Sequence, residues 1–110
     1  MSRFLRQTAY MTATIASGQT KTGSIEISGA AFVGLVMPAA FTGTSITFEV
    51  SADGTTFQAL YDEFNTQVSV TVAASRTYDL PATLTTYGFM KVVSGSAEGA
   101  DRSLVIALKS

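Results

Sequence analysis

The stretch 45–61, SITFEVSADGTTFQALY, carries the clearest structural signal in the chain. In its first part, Ile46, Phe48 and Val50 alternate with polar side chains, which is the period-two pattern of a β-strand with one covered face. An Asp-Gly pair follows at 53–54, where Asp tolerates and Gly readily supplies the positive φ of a tight turn. The residues after this turn are therefore expected to return as the antiparallel partner of the first strand.

The same alternation recurs on both sides of this segment. It predicts strands over 8–15, 24–28, 31–37, 45–51, 57–61, 67–73, 87–93 and 102–109. The run 31–37 is apolar throughout, so it is expected to be buried on both faces, whereas 80–84 fits either a loop or a short helical turn. About eight short strands without helical periodicity predict an all-β fold, an antiparallel β-sandwich of the jelly-roll type.

Length and composition narrow the function. At 110 residues the chain fits one domain, predicted over 8–110 after an N-terminal arm over 1–7. It contains neither Cys nor His, which removes disulfides, thiolate metal sites and the commonest general base, so we expect a protein that is not an enzyme and needs no cofactor. A net charge of -1 disfavours nucleic acid as a partner. The chain has no uninterrupted apolar run of about 18 residues, so no membrane-spanning helix is predicted.

Charged residues make up only 14% of the chain, while about a quarter is usual. Interface centres in oligomers are depleted of charge, so this scarcity favours a homo-oligomer with part of the surface covered. A neutral surface wetted by abundant Ser and Thr is the alternative interpretation.

Carboxylates are the remaining candidates for acid-base chemistry. Glu26 and Glu49 lie on the face of their predicted strands opposite to the apolar side chains. Their carboxylates are therefore expected to face solvent or a sheet edge. Asp62, Glu63 and Asn65 form an oxygen-rich cluster of the kind that calcium prefers, but they lack a longer run of spaced ligands. A solvated turn is therefore the favoured interpretation, and no metal site is predicted.

Two further features of the sequence are its four tyrosines and the segment 94–101. Four tyrosines could line a sugar-binding surface, although a chain without Trp favours packing as their role; they are Tyr10, Tyr61, Tyr78 and Tyr87. The segment 94–101 is small, polar and Gly-containing, which predicts a mobile loop.

The arm 1–7 differs from the rest of the chain. Arg3 and Arg6 flank the apolar pair Phe4 and Leu5 ahead of the first predicted strand. One interpretation is a frayed terminus. The other is a partner-binding segment in which the apolar pair provides the anchors and the arginines pair with acidic groups.

Three stretches resemble small virion proteins of tailed bacteriophages. They are GLVMPAAFTGTSITFEVSADGTTF at 34–57, VTVAASR at 70–76 and MKVVSG at 90–95. The resemblance implies a capsid-associated β-sandwich, either a decoration (cement) protein or a head-fibre component. It further implies a homotrimer on the capsid surface of the virion that binds the major capsid protein and stabilises the head.

A second resemblance points to another class. SADGTTF at 51–57 and YGFMKV at 87–92 look like strands of discoidin-like jelly rolls. They imply the alternative of a carbohydrate- or receptor-binding β-sandwich in a phage fibre or tail, although shared architecture by itself transfers no ligand.

Deletion of residues 1–7 tests the arm. We expect attachment to the capsid to weaken while the Tm stays nearly unchanged, because the segment precedes the first strand of the sandwich. Cosedimentation with capsids and a thermal melt measure the two quantities. Unaltered attachment would refute the assignment.

Overall fold

The computed structural model describes residues 8–27, 31–80 and 87–109, which form nine β-strands and no helix. The strands are β1 Thr8–Ile15, β2 Ile25–Glu26, β3 Ala31–Val36, β4 Ser45–Ser51, β5 Gln58–Ala59, β6 Ser69–Thr71, β7 Thr77–Asp79, β8 Phe89–Ser94 and β9 Arg102–Lys109. The predicted all-β class is confirmed, and the bounds of β1, β4 and β9 agree with the prediction. Strand β7 was not predicted, and the segment 81–84 lies outside the described residues.

The strands form two antiparallel sheets. One has the order β1-β9-β3-β7, and the other has the order β2-β8-β4-β5 with β6 also paired to β4. The first strand therefore pairs with the last, β2 with β8, β3 with β7, and β4 with β5 and β6. This nested pairing is that of one long hairpin rolled into two sheets, which is the jelly-roll arrangement of an antiparallel sandwich.

Apolar side chains from both sheets meet between the layers. Ile46 and Phe48 are fully buried there, and the Phe48 ring meets Phe32 of the other sheet edge-on, with ring centroids 6.0 Å apart. The buried core comprises Ala13, Ile15, Ile25, Ile27, Phe32, Leu35, Met37, Phe41, Ile46, Phe48, Leu60, Val72, Met90, Val92, Leu104 and Ile106.

Strand β3 departs from its predicted burial on both faces. Phe32 and Leu35 are buried, but Val33 and Val36 are only half-buried. The register with β9 shifts between Phe32 and Gly34, as at a β-bulge. The inner face of β3 packs into the core as expected, whereas its outer face lies on the outside of a two-layer sandwich.

The strand opposite β4 is interrupted at the edge of its sheet. β5 pairs with the end of β4 and β6 with its beginning, and Leu60 N–H donates to Phe48 O between them. The chain then leaves the sheet at Tyr61 and returns at Gln67, which pair as a bridge, before Val68 N–H donates to Leu60 O. Residues 61–67, called the edge loop below, therefore lie outside the ladder of the sheet.

Replacement of Phe48 by Ala is expected to lower the free energy of unfolding by about 3–5 kcal/mol, the usual cost of removing a buried aromatic side chain. The matched control is Phe64→Ala, because Phe64 is 80% exposed and its removal leaves no cavity. Urea denaturation of both variants measures the difference. Equal losses of stability would contradict the assigned core.

Candidate functional site

A buried carboxylate closes the end of the sandwich at which β1, β3 and β8 end. Glu98 is only 2% exposed, and its Oε2 accepts hydrogen bonds from Thr42 Oγ1 at 2.8 Å and Gly43 N at 3.0 Å. Its Oε1 accepts from Thr42 N and from Arg102 Nε, each at 2.9 Å. The backbone O of Glu98 accepts from Gly18 N at 2.9 Å. One residue thus joins the loops β1–β2, β3–β4 and β8–β9.

Two opposing effects set the ionisation of this group. Burial is the largest effect and raises the pKa of Glu98, but the hydrogen bonds from Thr42, Arg102 and Gly43 together outweigh it and hold the pKa below its ordinary value of 4.5. The carboxylate is therefore ionised at neutral pH with both oxygens occupied. Such a group serves as a structural tie and is poorly suited to act as an acid or base.

The loop 94–101, which the sequence predicts to be mobile, is bonded to its neighbours at several points. Besides the buried carboxylate, Asp101 Oδ1 accepts a hydrogen bond from Ser17 N at 2.8 Å. Ser94 Oγ donates to Ser96 O at 2.8 Å. The loop is small and polar as predicted, but side chains from three of its positions fix it to itself and to its neighbours.

Asp53 has the role that turn chemistry predicts. Its Oδ1 accepts hydrogen bonds from Thr56 N, Thr55 N and Ser51 Oγ, and these bonds lower the pKa of Asp53 to about 2. Gly54 adopts a φ of 80°, which only glycine adopts without strain. The carboxylate is part of the β4–β5 turn.

The other predicted carboxylates lie on the surface. Glu26 is exposed on β2, and Glu49 on β4 is half-buried and pairs with Lys21, with Nζ and Oε2 2.6 Å apart. Asp62 Oδ1 accepts from Phe64 N at 2.8 Å, which makes it a turn residue. Among the described residues, no three His, Cys, Asp or Glu side chains gather as metal ligands.

The edge loop presents an aromatic side chain on a firmly bonded turn. Phe64 is 80% exposed and Tyr61 50% exposed. Asp62 Oδ1 accepts from Phe64 N and Thr66 N, Asp62 N donates to Thr66 O, and Asn65 N donates to Asp62 O. Asn65 completes the turn with a φ of 64°. The turn agrees with the solvated turn favoured from the sequence, whereas the exposed aromatic side chain on it was not predicted.

The four tyrosines lie on separate elements. Tyr10, on β1, is 67% exposed, and Tyr61 lies in the edge loop of the other sheet. Tyr78 and Tyr87 are half-buried and pack against the core, and Tyr78 Oη accepts a hydrogen bond from Ala73 N at 2.8 Å. Packing is thus the role of two of them, as favoured from the sequence.

A concave surface lies at the end of the sandwich opposite Glu98. It encloses about 360 Å³ beside the β4–β5 turn and is lined by Val50, Ser51, Ala52, Asp53, Thr56, Gln58 and Tyr87. The mixture of an aromatic ring, an amide, hydroxyls and an apolar wall is chemically suited to a small polar ligand.

The candidate partner-binding residues Arg3, Phe4, Leu5 and Arg6 lie outside the described residues. The described chain begins after this arm, at Thr8 of β1. Thr8 pairs with Lys109 at the same end of the sandwich as the concave surface. No helix within the described ranges is long and apolar enough to cross a membrane.

Comparison with known proteins shows a similarity of fold. No protein-family model and no curated protein sequence matches the chain. The crystal structure of the SPBc2 prophage-derived protein YomS is similar, with a TM-score of 0.65 and 12% identity over 100% of this chain and 99% of that one. A chain of the Bacillus endospore appendages, a family of disulfide-linked pili, matches with a TM-score of 0.45 and 12% identity, over 96% of this chain and 85% of that one. The chain therefore shares its fold, over its whole length, with a prophage-derived protein.

Replacement of Glu98 by Gln tests the tie. The neutral amide cannot accept all the bonds that the carboxylate accepts, so we expect a loss of about 3 kcal/mol in the free energy of unfolding, measured by denaturant titration at pH 7. Glu26→Gln, at an exposed position, is the control and should have little effect.

The pH dependence gives a second measurement of the same tie. Because folding lowers the pKa of Glu98, its contribution is complete above the ordinary value of 4.5 and is lost as the pH falls through the folded pKa. The Gln variant should lack this part of the acid destabilisation. An identical pH profile in both proteins would contradict the assignment.

Proposed function

We propose that the protein is a structural component of a phage-type virion, a decoration protein that binds the major capsid protein on the outer surface of the head. The observation that carries the proposal is the fold shared with a prophage-derived protein over 100% of this chain. The resemblance of the stretches 34–57, 70–76 and 90–95 to small virion proteins points in the same direction. In this proposal the protein acts as a homotrimer that bridges capsid subunits and stabilises the shell.

The physical properties of the chain support a mechanical role. Glu98, Asp53 and Asp62 are engaged in hydrogen bonds that hold loops and turns, and Glu49 is paired with Lys21. Within the described residues, every buried side-chain nitrogen and oxygen has a hydrogen-bond partner. A sandwich tied in this way adds rigidity to a shell without requiring any chemistry.

The concave surface beside the β4–β5 turn favours a second candidate, binding of carbohydrate by a phage fibre or tail protein. The half-buried ring of Tyr87 offers an apolar wall, and Gln58 and Thr56 offer polar groups within about 360 Å³. Aromatic faces that stack on sugar rings beside amides and hydroxyls are suited to saccharides.

Two measurements decide between the candidates. A capsid decoration protein is expected in hundreds of copies per virion and should saturate capsids that lack it, raising their melting temperature. A receptor-binding protein is expected in about a dozen copies and should give reproducible hits on a glycan array, which are lost in Tyr87→Ala. Low copy number together with absent capsid binding would refute the decoration role.

A further inference from the structure

Phe64 is the most exposed large apolar side chain among the described residues. Its side chain is 80% exposed, compared with 67% for Tyr10 and 50% for Tyr61. Unlike those two tyrosines, Phe64 has no hydroxyl to interact with water. Exposure of a fully apolar ring to water does not stabilise the isolated protein, whereas burial of the ring against a partner lowers the free energy.

The backbone around Phe64 is held before any partner arrives. Asp62 Oδ1 accepts the N–H groups of Phe64 at 2.8 Å and Thr66 at 2.9 Å, and Asp62 N donates to Thr66 O at 2.8 Å. The bridge between Tyr61 and Gln67 closes the base of the loop. Because the backbone conformation is already formed, binding through Phe64 loses little backbone conformational entropy.

The position of the edge loop makes the ring accessible. β5 and β6 both pair with β4, so the loop leaves the sheet between them and lies at its edge, where no further strand of the described chain follows. A hydrogen-bonded loop at this point also interrupts an edge that could otherwise add a foreign strand. The loop thus interrupts the exposed edge of the sheet and presents a single aromatic ring there.

Charge around the anchor limits the kind of partner. Asp62 and Glu63 precede Phe64 directly, and the stretch 50–74 around them contains no Lys or Arg. A complementary surface combines an apolar pocket for the ring with Lys or Arg side chains at its rim, since like charges opposite each other are unfavourable.

We propose that the edge loop is a docking element whose Phe64 inserts into an apolar, basic-rimmed pocket of a capsid subunit. The inference rests on the proposed function, because it takes the capsid subunit as the partner. The predicted partner-binding arm 1–7 is basic, so this contact on the folded domain is of opposite charge. Phe64 is the energetic anchor of this contact, and Asp62 and Glu63 orient it.

The test compares the full-length protein with Phe64→Ala for binding to purified capsids that lack the protein. Loss of a central aromatic anchor is expected to weaken the affinity by about 30-fold, the equivalent of about 2 kcal/mol. Tyr10→Ala is the matched control, because Tyr10 is also exposed but lies on β1 of the other sheet. Thermal melts show that both variants remain folded.

A charge reversal tests the rim. Glu63→Lys should weaken capsid binding, most strongly at low ionic strength, because the new cation meets the basic rim. Glu26→Lys is the control, since Glu26 is an exposed glutamate on β2, away from the edge loop.

The outcomes separate the two proposals. If Phe64→Ala binds capsids as tightly as the unaltered protein, the docking element is refuted and the decoration role stands. If the unaltered protein does not bind capsids at all, the decoration role fails and the capsid subunit is excluded as the occupant. If Phe64→Ala instead abolishes self-association in analytical ultracentrifugation without affecting capsid binding, the occupant is a second copy and the proposal is overturned.

Discussion

The contact on which the architecture most depends is the buried carboxylate of Glu98. It lies where three loops cross between the two sheets, and both of its oxygens accept hydrogen bonds from the β3–β4 loop or from Arg102. The β3–β4 loop must approach closely to make these bonds. A Cβ at Gly43 would lie 2.9 Å from both the Phe41 ring and Ser94 Oγ, so the absence of a side chain at this position is a condition of the contact.

This tie at one end divides the molecule into regions with different roles. The Glu98 end is closed by hydrogen bonds, whereas the opposite end carries the start of β1, the β4–β5 turn and the concave surface. The edge loop lies between them, on the flank of the five-stranded sheet. The edge loop and the concave surface, which are the two candidate binding surfaces, therefore both lie away from the Glu98 tie.

Much of this fold follows from local pattern, and the remainder depends on contacts distant in sequence. Strands β1, β4 and β9 were predicted with correct bounds because alternation over seven or eight residues is unambiguous. β7 was missed because Thr77–Asp79 has a single apolar residue and exists as a strand through its pairing with β3. Glu98 was not singled out within the polar segment 94–101, because the partners of its carboxylate, Thr42 and Gly43, are more than 50 residues away in sequence. Asp62 and Asn65 marked the turn of the edge loop in the sequence, whereas the exposure of Phe64 within it was not predicted.

The pairing of the first strand with the last has a consequence for how the protein is made. Thr8 lies opposite Lys109, so β1 leaves the ribosome long before the strand beside it has been synthesised. Its apolar residues Met11 and Ile15 have no sheet to join during that interval, which lasts several seconds or more at roughly 5–20 residues per second. β3 also waits for β9. The four-stranded sheet is therefore assembled only once β9 has been synthesised, because β9 is the strand that pairs with both β1 and β3.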